Sequence, residues 1–354
     1  MLNLFSSRSS GMTGIDIGSA SVKIVTMSST GNSYSLNSYA IVPISASAVV
    51  DGSIEDVGVV ASAIERGLKI CGGKHKLATV AVPSSSVITK RIKLSNLFIG
   101  IDLEEQVKVE ADQFIPYPLE EVALDFEVLG PNAKDPNFND ILLVACRKDA
   151  SETREDAVNS AGIKCEIIDV DTYAMERSLA LVEDRLEEVM VATIDIGAST
   201  LCLNVFHEGK AIYNREQAFN GNELSMAISQ QLGKSIEEVE VALQDDMLNQ
   251  NIIDDFLEPF IGTVTQQISR SLQFFYSSGI HGRLTKLYIC GGLSGLPDLC
   301  VRLADELDLS VEILNPFSKC RINPKLNAKR LNRDSALLVK ACGLALRSNI
   351  NRTR

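Results

Sequence analysis

GIDIGSASVKIV, from Gly14 to Val25, returns as TIDIGASTLCL, from Thr193 to Leu203. Each copy predicts a short apolar strand, a tight Asp-x-Gly turn, and small hydroxyl residues leading into a second strand. Superposing Asp16 on Asp195 also aligns Ile15 with Ile194, Ile17 with Ile196 and Gly18 with Gly197. The chain therefore reads as two copies of one folding unit.

Two such turns facing each other would make a phosphate clamp. Gly18 and Gly197 allow main-chain N–H groups to approach an anion, and Ser19, Ser21, Ser199 and Thr200 add hydroxyl donors. Asp16 and Asp195 would repel phosphate unless a hydrated magnesium ion lay between them and the phosphate oxygens. Lys23 supplies a point charge for the outer phosphates. Either copy alone reads better as an ordinary β-hairpin, and it is the recurrence that favours the clamp. A third glycine turn follows in LYICGGLSGLPDL, from Leu287 to Leu299, where a buried-type strand runs into Gly291-Gly292 before a helix. Gly291, Gly292 and Ser294 would border a nucleoside there.

The order DxGSxSxK, DxGAST, CGG-L-SG-L and finally ALLVKACGLALR, from Ala336 to Arg347, resembles the actin, heat-shock-protein 70 and sugar-kinase superfamily. Within it, VEADQFIPYPLEEVALDFEVL from Val109 to Leu129, with ILLVACRKD and AGIKCEIIDVD after it, resembles the PilM family of type IV pilus assembly. The resemblance spans nearly the whole chain, and the division protein FtsA is also similar. It implies an α/β actin-like fold of two RNase H-like lobes with a small α+β subdomain inserted in the first. It further implies ATP and Mg2+ as cofactors, with Asp16 and Asp195 holding the metal through water.

Residues 12–83 would then form the first segment of lobe one and 84–166 the insertion. Residues 167–190 would form a connecting helix, 191–334 the second lobe, and 335–350 a helix returning to the first. The resemblance also implies a partner, the cytoplasmic N-terminal tail of a PilN-like inner-membrane protein, held in a groove bordered by the insertion. Other pilus-machine components, assembly ATPases among them, and self-association are further partners it leaves open. In the superfamily a carboxylate or amide at the start of the connecting helix can position the attacking water, and Asp171 matches that position. An N-cap is the alternative role for Asp171. Where the family usually has Gly-Gly-Asn before a second-lobe helix, this chain has Asn220-Gly221-Asn222, leaving Gly221 to admit ribose or phosphate.

Local patterning fills in the elements. Strands are expected at Tyr34–Val42, Leu77–Val82, Leu124–Leu129, Ile141–Cys146 and Cys165–Val170. Helices are expected at Ile54–Ile70, Leu103–Phe114, Ala150–Ala161, Asp171–Leu186 and Phe256–Tyr276. The Leu103–Phe114 helix is closed by Ile115-Pro116-Tyr117-Pro118. GLKICGGKH, from Gly67 to His75, is one residue too long for a P-loop and lacks its Ser or Thr, so it reads as a helix ending in two glycines.

Composition narrows the class. A chain of 354 residues with 45% hydrophobic content suits two lobes. No run approaches the roughly 20 apolar residues of a membrane span, and Met1–Phe5 lacks the features of a signal peptide, so a cytoplasmic protein reaching the membrane through a partner is expected. A net charge of −12 disfavours nucleic-acid binding. One basic run, Lys319 to Arg333, is a solvated loop or a contact for acidic lipid or an acidic partner. Eight cysteines without CxxC spacing read as small buried hydrophobes in a reducing compartment. Three functional readings remain: a nucleotide-loaded adaptor with slow hydrolysis left open, a small-molecule kinase, and an FtsA-like division protein. The last would need a C-terminal amphipathic anchor, for which Leu346–Arg354 is too polar. A kinase would need a substrate-facing base, and no motif supplies one.

Overall fold

The computed structural model describes residues 9–31, 33–244 and 247–349; Met1–Phe5 lies outside them. Strand β1 (Ser9–Ile17) pairs antiparallel with β2 (Ser21–Thr30), and β2 with β3 (Ser33–Pro43). Helix α1 (Val57–Cys71) then crosses the sheet, and β4 (Leu77–Val82) lies parallel beside β1. The Asp56 carboxylate caps α1 by accepting from Val59 N at 2.9 Å, and Gly72 ends it at φ 67°. Gly67 in this helix is a packing residue, since a Cβ there would lie 2.6 Å from Ile24 Cδ1.

An α+β insertion follows. Strands β5 (Val87–Ser95), β6 (Val122–Pro131) and β7 (Phe138–Arg147) form an antiparallel sheet with β7 in the centre, and α2 (Ile101–Ala111) packs on it. β5 was not anticipated. Its only deeply buried side chains are Ile92 and Leu94, alternating with lysine and arginine, so the apolar signal is two residues long. α2 ends three residues earlier than expected, because backbone N–H groups of Phe114 and Ile115 both turn back to Ala111 O before Pro116.

α3 (Lys148–Ser160) and β8 (Lys164–Val170) come next, and they correct the expected boundary of the insertion at 166. β8 pairs parallel with β4 in the first sheet, and Ala157 and Val158 of α3 share a core with Ile15, Val22 and Ile64. Both belong to the first lobe. α4 (Asp171–Ala180) is shorter than expected; its last carbonyls accept from Leu181 and Val182 in tighter turns, and the Glu183 carboxylate accepts from Arg185 N.

The second lobe repeats the first. β9 (Met190–Ile196), β10 (Thr200–His207) and β11 (Lys210–Ala218) are antiparallel neighbours, followed by α5 (Glu223–Leu232) and α6 (Glu258–Ser277). β12 (Leu284–Cys290) and β13 (Ser310–Ile313), separated by α7 (Leu299–Leu307), complete the sheet in parallel. Its order, β11-β10-β9-β12-β13, matches β3-β2-β1-β4-β8 strand for strand and sense for sense. The duplication suggested by two turns is thus a duplication of five strands; the first sheet has a sixth, Arg321–Ile322, parallel to β3, which puts these residues in the first lobe and not in the second as expected.

Residues 335–345 cover the remaining sheet faces. Leu338, Ala341, Cys342 and Ala345 pack with Val25, Met27 and Leu36 of the first sheet, and Val339 packs with Phe206 and Tyr288 of the second. Helix α8 (Val339–Ala345) therefore lies between the lobes beside α4. The approach is close. A Cβ on Gly343 would sit 1.8 Å from Ala174 O, and one on Gly14 would sit 2.1 Å from Ala341 O. The basic run ahead of it is partly neutralised: Lys319 meets Asp184 at 2.6 Å, and Arg330 meets Asp334 at 3.3 Å. Among the described residues no helix is long and apolar enough to cross a membrane.

Candidate functional site

The two Asp-x-Gly turns are closed in the same way. Gly18 N donates to Ser21 O at 3.1 Å, and Gly197 N donates to Thr200 O at 2.9 Å. Their tips touch, with Ser199 Oγ donating to Ser19 Oγ at 2.8 Å. The facing turns expected from the sequence are therefore adjacent across the junction of the lobes. Ser21 is nearly buried, so its contribution to the turn is its carbonyl.

Charge is distributed unequally over the two copies. Asp16 lies opposite Lys23 in the β1–β2 register, and the Lys23 ammonium is 3.3 Å from Asp16 Oδ2. The same register position in the second copy pairs Asp195 with Cys202. The missing cation comes instead from α8: Lys340 Nζ lies 2.8 Å from Asp195 Oδ2 and 3.5 Å from Asp171 Oδ2. Desolvation opposes the ammonium, but Asp195, Asp171 and Asp16 outweigh it and hold the Lys340 pKa well above the ordinary lysine value. Burial likewise opposes the Asp195 carboxylate, and Lys340 and Lys23 hold its pKa below the ordinary range. Lys340 was missed in the sequence; its signal is a single charge inside the apolar run Ala336–Leu346.

Asp171 is neither an N-cap nor an unengaged carboxylate. It is the first residue of α4, the cap position is Val170, and Asp171 Oδ1 accepts from Ser84 N at 2.9 Å. Gly291 stands at φ 89°, and a Cβ there would lie 2.3 Å from Asp195 Oδ1. Gly292 faces open space, as a glycine bordering a ligand should. Ser294 does not border the opening: it is buried, and its hydroxyl donates to Gly291 O at 2.8 Å, stabilising the turn. Gly221 packs against the second turn, donating its N–H to Ala198 O at 2.9 Å, and a Cβ would meet Gly197 O at 2.2 Å. Its glycine is required by that backbone approach.

The arrangement suits an anionic ligand better than it suits the expected metal. Serine hydroxyls, the Lys23 ammonium and the open approach at Gly292 fit phosphate and nucleoside. The two aspartates each already meet an ammonium group, so a hydrated divalent ion between them and the phosphates would have to compete with Lys340. The residues do not fit the magnesium site as the sequence suggested it.

A second feature lies where the insertion meets the first lobe. A cavity of about 410 Å³ is lined by Ser53 and Ser85 from the lobe and by Ile88, Ile115, Tyr117 and Arg147 from the insertion. Arg147 stacks 5.5 Å from the Tyr117 ring and pairs with Asp149 at 2.9 Å. β5, which contributes Ile88, is an edge strand of its sheet.

The family model described as type IV pilus assembly protein PilM matches residues 14–349. Among solved structures, the chain is similar to a PilM–PilN type IV pilus biogenesis complex, at 26% identity and a TM-score of 0.76, over 95% of this chain and 98% of that one. It is also similar to the ethanolamine utilization protein EutJ from Carboxydothermus hydrogenoformans, at 16% identity and a TM-score of 0.57, over 95% of this chain and 89% of that one, a likeness of fold alone. With two matching sheets, an insertion in the first lobe and a family match over nearly its whole length, the chain belongs to the type IV pilus assembly protein PilM family and has its actin-like fold.

Proposed function

We propose that the protein is a nucleotide-binding adaptor of type IV pilus assembly. It holds the extended cytoplasmic N-terminal tail of a PilN-like inner-membrane protein, and ATP in the cleft biases the arrangement of the lobes. The observation that carries this reading is the cavity between insertion and first lobe, in a chain similar along its length to a protein solved in complex with PilN. An extended tail can add main-chain hydrogen bonds at the β5 edge while its side chains enter the cavity. Attachment at the inner membrane would come through that partner.

The cleft carries the second half of the proposal. Gly18, Ser19, Lys23, Gly197, Ser199 and Thr200 would surround phosphate, with Gly291 and Gly292 beside the nucleoside. Any preference of ATP for one lobe arrangement must be matched by a reciprocal effect of the partner tail on ATP affinity. Calorimetric titration with a synthetic peptide of the cognate partner's N-terminal tail tests the adaptor. Tyr117→Ala should weaken binding about tenfold or more if the cavity is the site. The side chain is 40% exposed, so the substitution should leave the fold intact. Undiminished peptide affinity in the variant would remove the cavity from the proposal.

A further inference from the structure

Seven residues after its aspartate, the first hairpin carries Lys23 and the second carries Cys202. The second copy has therefore lost the strand-borne cation, and α8 replaces it with Lys340, the only charged residue between Ala336 and Leu346. Its ammonium reaches Asp195 and Asp171, which come from two other elements, while its side chain is only 22% exposed. An ammonium has three N–H donors. The ammonium lies within hydrogen-bond distance of Asp195 Oδ2 alone and pairs with Asp171 at the longer 3.5 Å, which leaves donor capacity for an incoming anion.

Resting on the nucleotide reading of the cleft, we infer that Lys340 takes the place of the divalent metal, so that the phosphates of ATP are met by Lys23 and Lys340 without magnesium. A cation fixed on the chain does the metal's electrostatic work here. It neutralises Asp195, and it presents positive charge to phosphate between the two turns. A magnesium ion entering between Asp16 and Asp195 would face both ammonium groups at short range, and both carboxylates would have to be shared. Lys340 is tethered by α8, whose close packing through Gly343 against Ala174 leaves the helix little room to withdraw.

The test is an ATP titration of the full chain by calorimetry, once with excess Mg2+ and once with excess EDTA. A parallel measurement follows Mn2+ uptake by the nucleotide-free protein in electron paramagnetic resonance. The wild-type affinities should agree within about threefold between the two conditions, and wild type should leave the Mn2+ signal free. Lys340→Met should make ATP binding depend on the metal by about tenfold or more, and it should take up Mn2+ in the absence of nucleotide. Lys340→Arg keeps the charge and should behave as wild type, which separates loss of the cation from damage to the fold. Wild-type ATP affinity that collapses in EDTA overturns the inference. If ATP binds under neither condition, the nucleotide reading falls, and the Mn2+ measurement still decides the role of the lysine: uptake by wild type overturns it, while uptake by Lys340→Met alone supports it.

Discussion

Gly291 brings the third glycine turn against the second aspartate. With φ at 89° and 2.3 Å between a hypothetical Cβ and Asp195 Oδ1, Gly291→Ala strains the backbone and displaces the carboxylate at once. The expected result is a loss of about 1–3 kcal/mol in denaturant unfolding, together with weakened ATP binding. Two tyrosines give a pH dependence at the same scale. Burial and the Asp334 carboxylate push the Tyr39 hydroxyl up to about 12, and burial and its hydrogen bond to Glu183 push Tyr288 to about 12 as well. Both phenols hold their protons more tightly in the folded chain. The stability they contribute is full below the free side chain's value of about 10 and is lost as pH rises through the folded values. An ultraviolet titration should show Tyr39 and Tyr288 among the phenols that ionise late, and unfolding free energy should fall over that window; titration of every tyrosine near 10 would contradict the burial. Single residues also mark where the sequence was legible. Asp16, Gly18, Asp195 and Gly197 carry their meaning in local spacing, whereas Lys340 acquires its role only when residues 171, 195 and 340 come together in space.

At the scale of elements, the close crossings of α8 set the tolerance of the fold. Gly343 meets the Ala174 carbonyl on α4, and backbone faces backbone, so neither side can relax by changing a rotamer. Gly343→Ala should cost about 3 kcal/mol, at the top of the usual overpacking range, and should be read as a lowered urea midpoint. Gly72→Ala, where a Cβ has open space around it, separates the two penalties a glycine can carry, since only its φ of 67° resists the change. Most elements were legible because their apolar period is long: Leu77–Val82 was expected residue for residue. β5 was not, because a strand half-covered by charge shows too few apolar positions, and the extent of α4 was overestimated because its end is made by tight turns and the Glu183 side chain. The insertion boundary was misplaced for a topological reason: α3 and β8 follow the insertion in sequence but pair with β4 and α1, and pairing partners are not written in local pattern.

For the whole molecule, the cleft is bridged by side chains at its edges. Ser199 meets Ser19, Ser84 Oγ donates to Asn214 Oδ1 at 3.2 Å, and Ser85 Oγ donates to Glu216 Oε1 at 3.0 Å. Such side-chain bonds contribute about 1 kcal/mol each, somewhat more where the Glu216 carboxylate accepts, so they hold the lobes together less firmly than packing holds either core. ATP at about 100 times its dissociation constant should raise unfolding free energy by roughly 2.7 kcal/mol if it binds the folded state alone. A thermal melt without that shift would leave the cleft without its proposed ligand.

The passage of residues 335–345 between the sheets also orders the birth of the molecule. The second lobe is contiguous from β9 to β13 and owns a core made of its own strands and helices. The first lobe begins earlier, yet one face of its sheet, at Val25, Met27 and Leu36, stays incompletely covered until Phe317, Leu331, Leu338, Ala341 and Ala345 arrive. During synthesis the half made first must therefore wait for the half made second, with an apolar sheet surface open to chaperones or to unwanted neighbours in the interval.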